Sequence, residues 1–243
     1  MKIVAIIPAR YGSTRFRGKP LARICGKPMI QWVYEAARRC EIIDQVFIAT
    51  DSEEIMTAGT GFGAQVCMTS AAHETGTDRI AEVAGTLAAR IVVNIQGDEP
   101  LITPEAIHQA VTPLIQDETI LMGSLKTTIE KQEDLDNPNI VKVVTDENDF
   151  ALYFSRSPIP FTRNKDTVIS AFRHIGLYVY RKEFLLSFTR LSRSVLEQAE
   201  NLEQLRALEH GFRIKVPTTT YQPVGVDTPE DIVRVERLMM KKK

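Results

Sequence analysis

The chain has 243 residues, 44% hydrophobic and 25% charged, which is enough for a sizeable core and too apolar for a disordered protein. Its formal net charge of -1 argues against general nucleic-acid binding, which needs a surplus of cations. No run approaches the roughly 18 to 20 apolar residues of a membrane span, so no membrane insertion is expected.

In chain order, β-branched apolar runs alternate with helical patterns. Pro8 and Arg10 close the first apolar run in a way that a signal peptide would not, which points to the cytoplasm. Residues 3–7, 46–50 and 91–95 read as buried strands, with helices over 28–39, 52–60, 78–89 and 104–115 between them. This alternation predicts a mainly parallel sheet covered by helices, with ligands beyond the carboxyl ends of the strands. Further on, 141–145, 151–154 and 175–180 read as strands, and 195–209 as one helix with Leu202, Leu205 and Leu208 near one face. Thr228 and Pro229, followed by two acids, open a last helix. The three cysteines lack metal-site spacing and read as reduced thiols. A single domain over 1–243 is expected, with an inserted lobe near 151–211.

Charge is uneven. The first 34 residues contain no acid but carry Lys2, Arg10, Arg15, Arg17, Lys19, Arg23 and Lys27. Several of these lie in the loop after the first strand, where Gly12 and Gly18 let backbone approach a ligand and Ser13 and Thr14 add donors. Arginine can grip two phosphate oxygens and lysine acts as a point charge, so Arg10, Arg15 and Lys19 suit a triphosphate. The loop is neither a Walker A motif nor G-x-G-x-x-G, which removes the main support for ATPase or dehydrogenase readings. Asp98 ends a strand-Gly-Asp run, and Asp227 precedes the last helix. Two carboxylates from distant segments, brought together, would suit Mg²⁺, a hard cation that prefers oxygen. His73 has no second histidine at zinc spacing.

Eight segments together resemble the 3-deoxy-manno-octulosonate (Kdo) cytidylyltransferases over nearly the whole chain. They are IPARYGSTRFRGKPL (7–21), ATD (49–51), GTDRIAEV (76–83), VNIQGDEPLI (93–102), ALYFSRSPIP (151–160), RHIGLYVYRKEFL (173–185), LEQLRALEHG (202–211) and GVDTPED (225–231). One position departs from the pattern: Arg17 stands where the family usually has proline, which frees φ and adds a charge. The resemblance implies a Rossmann-like α/β nucleotide-diphospho-sugar transferase fold with a smaller sugar-binding and dimerisation lobe. It also implies a homodimer, CTP and Kdo as substrates, and Mg²⁺ as cofactor. Arg10, Ser13, Arg15 and Lys19 would then bind the triphosphate, and Ser70, Asp78 and Arg79 the cytidine. Gln96 would touch nucleotide and sugar, Asp98 and Asp227 would hold the metal, and Arg156, His174, Tyr178, Glu203 and Gln204 would form the sugar pocket. In that pocket Arg156 and His174 are expected to serve the acid, and the other three the hydroxyls.

Overall fold

The computed structural model describes residues 2–12, 16–163 and 170–241. The chain forms two compact units: Met1–His108 with Pro223–Lys243, and Gln109–Gln222. The first contains β1 (Ile3–Ala9), a 3-10 turn (Lys19–Leu21), β2 (Arg23–Ile24), β3 (Lys27–Pro28), α1 (Met29–Arg38), β4 (Gln45–Thr50), α2 (Glu53–Gly61), β5 (Gln65–Met68), α3 (Gly76–Thr86) and β6 (Ile91–Asn94). Helix α4 (Pro104–Gln116) runs across the boundary in sequence. The second unit contains β7 (Met122–Thr128), α5 (Gln132–Asp136), β8 (Lys142–Thr145), β9 (Ala151–Ser155), β10 (Phe172–Arg181), α6 (Lys182–Phe188), α7 (Val195–Glu200), α8 (Gln204–Glu209) and β11 (Ile214–Lys215). Helix α9 (Pro229–Lys241) belongs to the first unit again.

In the first unit the strands run parallel in the order β6-β1-β4-β5, with Ile6 opposite Asn94 on one side and Phe47 on the other. Residues 3–7 of β1 are buried whichever way they point, as a parallel strand covered on both faces requires. Helix α1 turns Met29, Ile30, Val33, Tyr34, Ala36 and Ala37 inward at helical spacing. Ser52 Oγ accepts from Ile55 N at 3.3 Å to start α2, and Thr75 Oγ1 accepts from Asp78 N at 3.1 Å to start α3. Strands β1, β4 and β6 and the helices between them are those the alternating pattern predicts, while β5 at the edge is an addition.

The second unit is mostly antiparallel: β10 pairs with both β7 and β8, β8 pairs with β9, and β11 lies parallel to β7. Its main departure from expectation concerns the helix over 195–209, which is two helices. Asn201 takes the left-handed conformation (φ 51, ψ 53) and ends α7, and α8 starts afresh at Gln204. The apolar spacing of Leu202, Leu205 and Leu208 runs through this break, so periodicity alone joins the two. Left-handed backbone disfavours β-branched side chains most. Asn201→Val is therefore expected to lower stability by about 1–2 kcal/mol, and Asn201→Gly by much less. Urea denaturation checks this, and an unchanged midpoint for the valine variant would contradict it.

Candidate active site

The glycine-flanked loop leaves the carboxyl end of β1. Its base is closed by Gly18 N donating to Tyr11 O at 2.9 Å, with Gly18 at φ 70. Arg17, in the family's proline position, lies with its guanidinium 5.7 Å from the Tyr11 ring centroid, a cation–π contact that braces the same closure. Arg10 is exposed just beyond β1. Ser13 and Arg15 lie outside the described residues.

A 3-10 turn opening at Lys19 follows, and it carries the lysine to both predicted aspartates. Lys19 Nζ donates to Asp98 Oδ2 at 2.7 Å and reaches Asp227 Oδ1 at 3.5 Å. Asp98 sits in the turn after β6, where Glu99 N bonds Gln96 O. A Cβ on Gly97 would come within 3.2 Å of Pro8 O, so glycine lets this turn pack on the end of β1. The Asp227 segment is tied to Asp98 through the backbone, Val226 N donating to Asp98 O at 3.0 Å. Val226 is itself buried with Ile24, Met29 and Val235 of α9, against Phe16, Trp32 and Leu101. Asp231 receives Asp227 N and Thr228 N, both at 2.9 Å, and fixes the entry to α9. Burial opposes ionisation of that carboxyl, but the two N–H donors, the Thr228 hydroxyl and the Arg234 charge together outweigh it and hold its pKa below the usual range.

Two hard oxygen donors thus converge on one cationic nitrogen, although more than 100 residues separate them in sequence. That donor set fits Mg²⁺, with phosphate and water left to complete its shell. Among the described residues no cluster of three or more His, Cys, Asp or Glu suits a metal, so the protein's own share would be these two.

Of the residues expected at the cytidine, Asp78 and Arg79 lie on the amino-terminal half of α3 and Ser70 in the segment between β5 and α3; the first two are also engaged structurally. The Arg79 guanidinium is buried, donating to Asp51 Oδ2 at 2.8 Å and to Thr69 Oγ1 at 2.5 Å. The Asp78 carboxylate accepts from Thr75 Oγ1 at 2.8 Å in the cap of α3. Ser70 is exposed; its N–H donates to Glu82 at 3.0 Å, and His73 lies 2.5 Å from the same carboxylate oxygen. The Ser70 N–H and His73 lower the Glu82 pKa. Gln96 Nε2 bonds Asn94 Oδ1 at 3.4 Å.

In the second unit His174 on β10 is buried, its Nε2 2.8 Å from Ser124 Oγ on β7. Burial, reinforced by the charge of Arg173, pushes its pKa down to about 3, so the imidazole is neutral near pH 7. A neutral ring meets its neighbours as a hydrogen-bonding group rather than as a cation. Tyr178 Oη donates to Gln204 Oε1 at 3.0 Å, and burial, with the Glu203 carboxylate, pushes the phenol's pKa up. Gln204 is 3% exposed, and among the described residues its buried Nε2 has no hydrogen-bond partner. Glu203 Oε1 lies 3.7 Å from Arg206. Arg156 donates from Nε to Glu200 O at 2.7 Å and from Nη1 to Pro138 O at 3.0 Å, so it helps terminate α7.

Ser124, Asp51 and Thr69 take part in these networks without having been singled out for a role. Asp51 lies inside the ATD segment, which was a usable signal; a lone serine between Gly123 and Leu125 gave none.

A family model described as cytidylyltransferase matches residues 4–215. A protein of Geotalea daltonii named 3-deoxy-manno-octulosonate cytidylyltransferase is 55% identical, the match covering 98% of each chain. One of the same name from Geobacter metallireducens is 54% identical over 97% of this chain and 96% of its own. The solved structure of a CMP:2-keto-3-deoxy-manno-octonic acid synthetase complexed with CTP is 40% identical, with TM-score 0.96 and full coverage of both chains. A 4-diphosphocytidyl-2C-methyl-D-erythritol synthase from Anaerococcus prevotii, 16% identical with TM-score 0.66, shares the fold. The chain belongs to the cytidylyltransferases, and within them to the 3-deoxy-manno-octulosonate cytidylyltransferase family.

Proposed function

We propose that the protein transfers CMP from CTP to the anomeric hydroxyl of Kdo, giving CMP-Kdo and pyrophosphate for lipopolysaccharide synthesis. The observation that carries this reading is the convergence of Asp98 and Asp227 on Lys19 beside the cationic loop. In this reading the sugar hydroxyl attacks the α-phosphorus in line with departing pyrophosphate, and catalysis is mainly positioning and charge neutralisation. Arg10, Ser13, Arg15 and Lys19 hold the triphosphate, and the cations among them receive the charge that builds on the leaving group. Ser70, Asp78 and Arg79 define the cytidine side, and Gln96 contacts both substrates. Bound Mg²⁺, held by Asp98 and Asp227, supplies charge neutralisation at the phosphates.

Arg156, His174, Tyr178, Glu203 and Gln204 form the Kdo pocket. Three of them offer a mixed set suited to a polyol: an acceptor nitrogen on neutral His174, lone pairs on the Tyr178 oxygen and the Gln204 amide donor, which has no partner among the described residues. The lobe near 151–211 carries this pocket and the homodimer contact. Strand β9, which among the described residues pairs only with β8, leaves Leu152 63% exposed, which suits that contact. No helix among the described residues is long and apolar enough to cross a membrane, and the reading places the protein in the cytoplasm with its CTP.

Pyrophosphate release with Kdo and Mg²⁺ is expected from CTP and not from ATP, UTP or GTP. Excess EDTA should lower the rate by at least about 100-fold, in line with loss of a main electrostatic contribution. Equal release from all four nucleotides, or full activity in EDTA, would overturn the reading.

A further inference from the structure

The hydroxyl of Ser124 has one hydrogen and, among the described residues, two hydrogen-bonding neighbours. Its Oγ lies 2.9 Å from the carbonyl oxygen of Ile175, which can only accept, and 2.8 Å from His174 Nε2. The hydrogen must therefore go to Ile175, so the serine oxygen accepts from His174, and Nε2 must carry a proton. Ser124 is fully buried, so no solvent competes for either bond. The imidazole is steadied by its surroundings as well. Phe154 meets it edge-on at 4.9 Å between centroids, Tyr178 lies tilted at 5.4 Å, and His174 N donates to Val141 O at 2.8 Å.

We infer that Ser124 is a positioning residue for the sugar: it locks His174 in the Nε2–H tautomer and so presents Nδ1 as a hydrogen-bond acceptor for a substrate hydroxyl. The inference rests on the proposal that His174 belongs to the Kdo pocket. With the proton held on the Ser124 side, Nδ1 offers a lone pair and no hydrogen. It is therefore matched to a group that donates and mismatched to a carboxylate. The ring stays neutral near pH 7 because burial opposes its charge, which keeps that lone pair available. Selectivity follows. A site built to accept from a particular hydroxyl rejects an analogue lacking it, because the buried acceptor then goes unpaired.

The test uses the whole protein labelled with ¹⁵N-histidine, read at neutral pH with and without Kdo. The expected spectrum shows a protonated Nε2 and an unprotonated Nδ1 for His174, with the Nδ1 signal moving when Kdo is added. A protonated Nδ1, or a cationic ring, would overturn the inference without recourse to any variant. An Nε2–H tautomer that ignores Kdo would overturn the role of Nδ1 in sugar binding, while pyrophosphate release from CTP would still judge the transferase reading separately. Kinetics give the second arm. Ser124→Ala should raise KM for Kdo roughly ten-fold, the scale of one lost hydrogen bond, with kcat and the KM for CTP nearly unchanged. Ser124→Thr, which keeps the hydroxyl, should recover most of the loss. Equal losses in the KM values for both substrates would mark a general structural effect and count against the proposal.

Discussion

Asp98→Asn is expected to lower kcat by about 10²–10³-fold while leaving the dissociation constant for CTP within about three-fold of its original value. Two roles for Asp98 make opposite forecasts here. If the carboxylate serves only to hold Lys19, asparagine can still accept from the ammonium through its amide oxygen at the 2.7 Å position, and turnover should survive. If it supplies negative charge to a divalent ion beside the phosphates, the amide cannot replace it, because a neutral ligand neither attracts the cation nor balances its charge. On the proposed reading, CTP is held mainly by the loop cations and the base contacts, so affinity should change little. Asp227→Asn should act in the same direction, since Asp227 Oδ1 faces the same nitrogen at 3.5 Å. Single-turnover pyrophosphate release and calorimetric CTP binding check the two quantities. Normal turnover in either variant would remove the metal role, and a collapse of CTP affinity would move that aspartate to nucleotide binding.

The first unit was legible because its signals are local. Strands β1, β4 and β6 are short apolar runs, Ser52 marks the start of α2, and the Thr228-Pro229 pair marks the start of α9. The chain before Glu35 advertised an anion site through charge alone. Other elements concealed themselves. Strand β7 reads as polar because Ser124, Lys126 and Thr127 are buried with partners from other strands and loops, and such pairings are invisible in one dimension. Strand β5 is four residues long and includes Gln65, Cys67 and Met68, too little for period-two alternation to register. At the site, the motifs carried residue types but not their commitments. Nothing in GTDRIAEV says that Arg79 is spent on Asp51 and Thr69, and nothing in ALYFSRSPIP says that Arg156 faces backbone carbonyls. Those assignments depend on which distant groups folding brings alongside.

The same distinction decides what holds the α7–α8 corner, where the largest stability effect is expected. Arg206 Nε and Nη2 meet the Glu197 carboxylate at 2.8 and 2.5 Å, and Arg206 packs 5.0 Å from the Phe188 ring centroid. Side-chain exposure is 5% for Arg206 and 9% for Glu197, so solvent screens the pair little. Replacing one partner strands the other charge in a buried place, whereas replacing both does not. Arg206→Leu is therefore expected to destabilise the protein by about 3–5 kcal/mol, and Glu197→Leu with Arg206→Leu should recover most of that loss. Burial works against the Glu197 charge, but Arg206 and the Ser194 N–H outweigh it and hold the pKa below the ordinary value of 4.5. This contribution is fully present above that value and is lost as the pH falls through the depressed one, so the gap between wild type and the single variant should close in acid. The consequence for function follows from position. Glu203 and Gln204 open α8, and Gln204 accepts from Tyr178, so a loosened corner should raise KM for Kdo while the nucleotide side stays intact. Urea denaturation of the three proteins across pH checks the energetic claim. A single variant within about 1 kcal/mol of wild type at pH 7 would mean that the pair contributes no more than an exposed one.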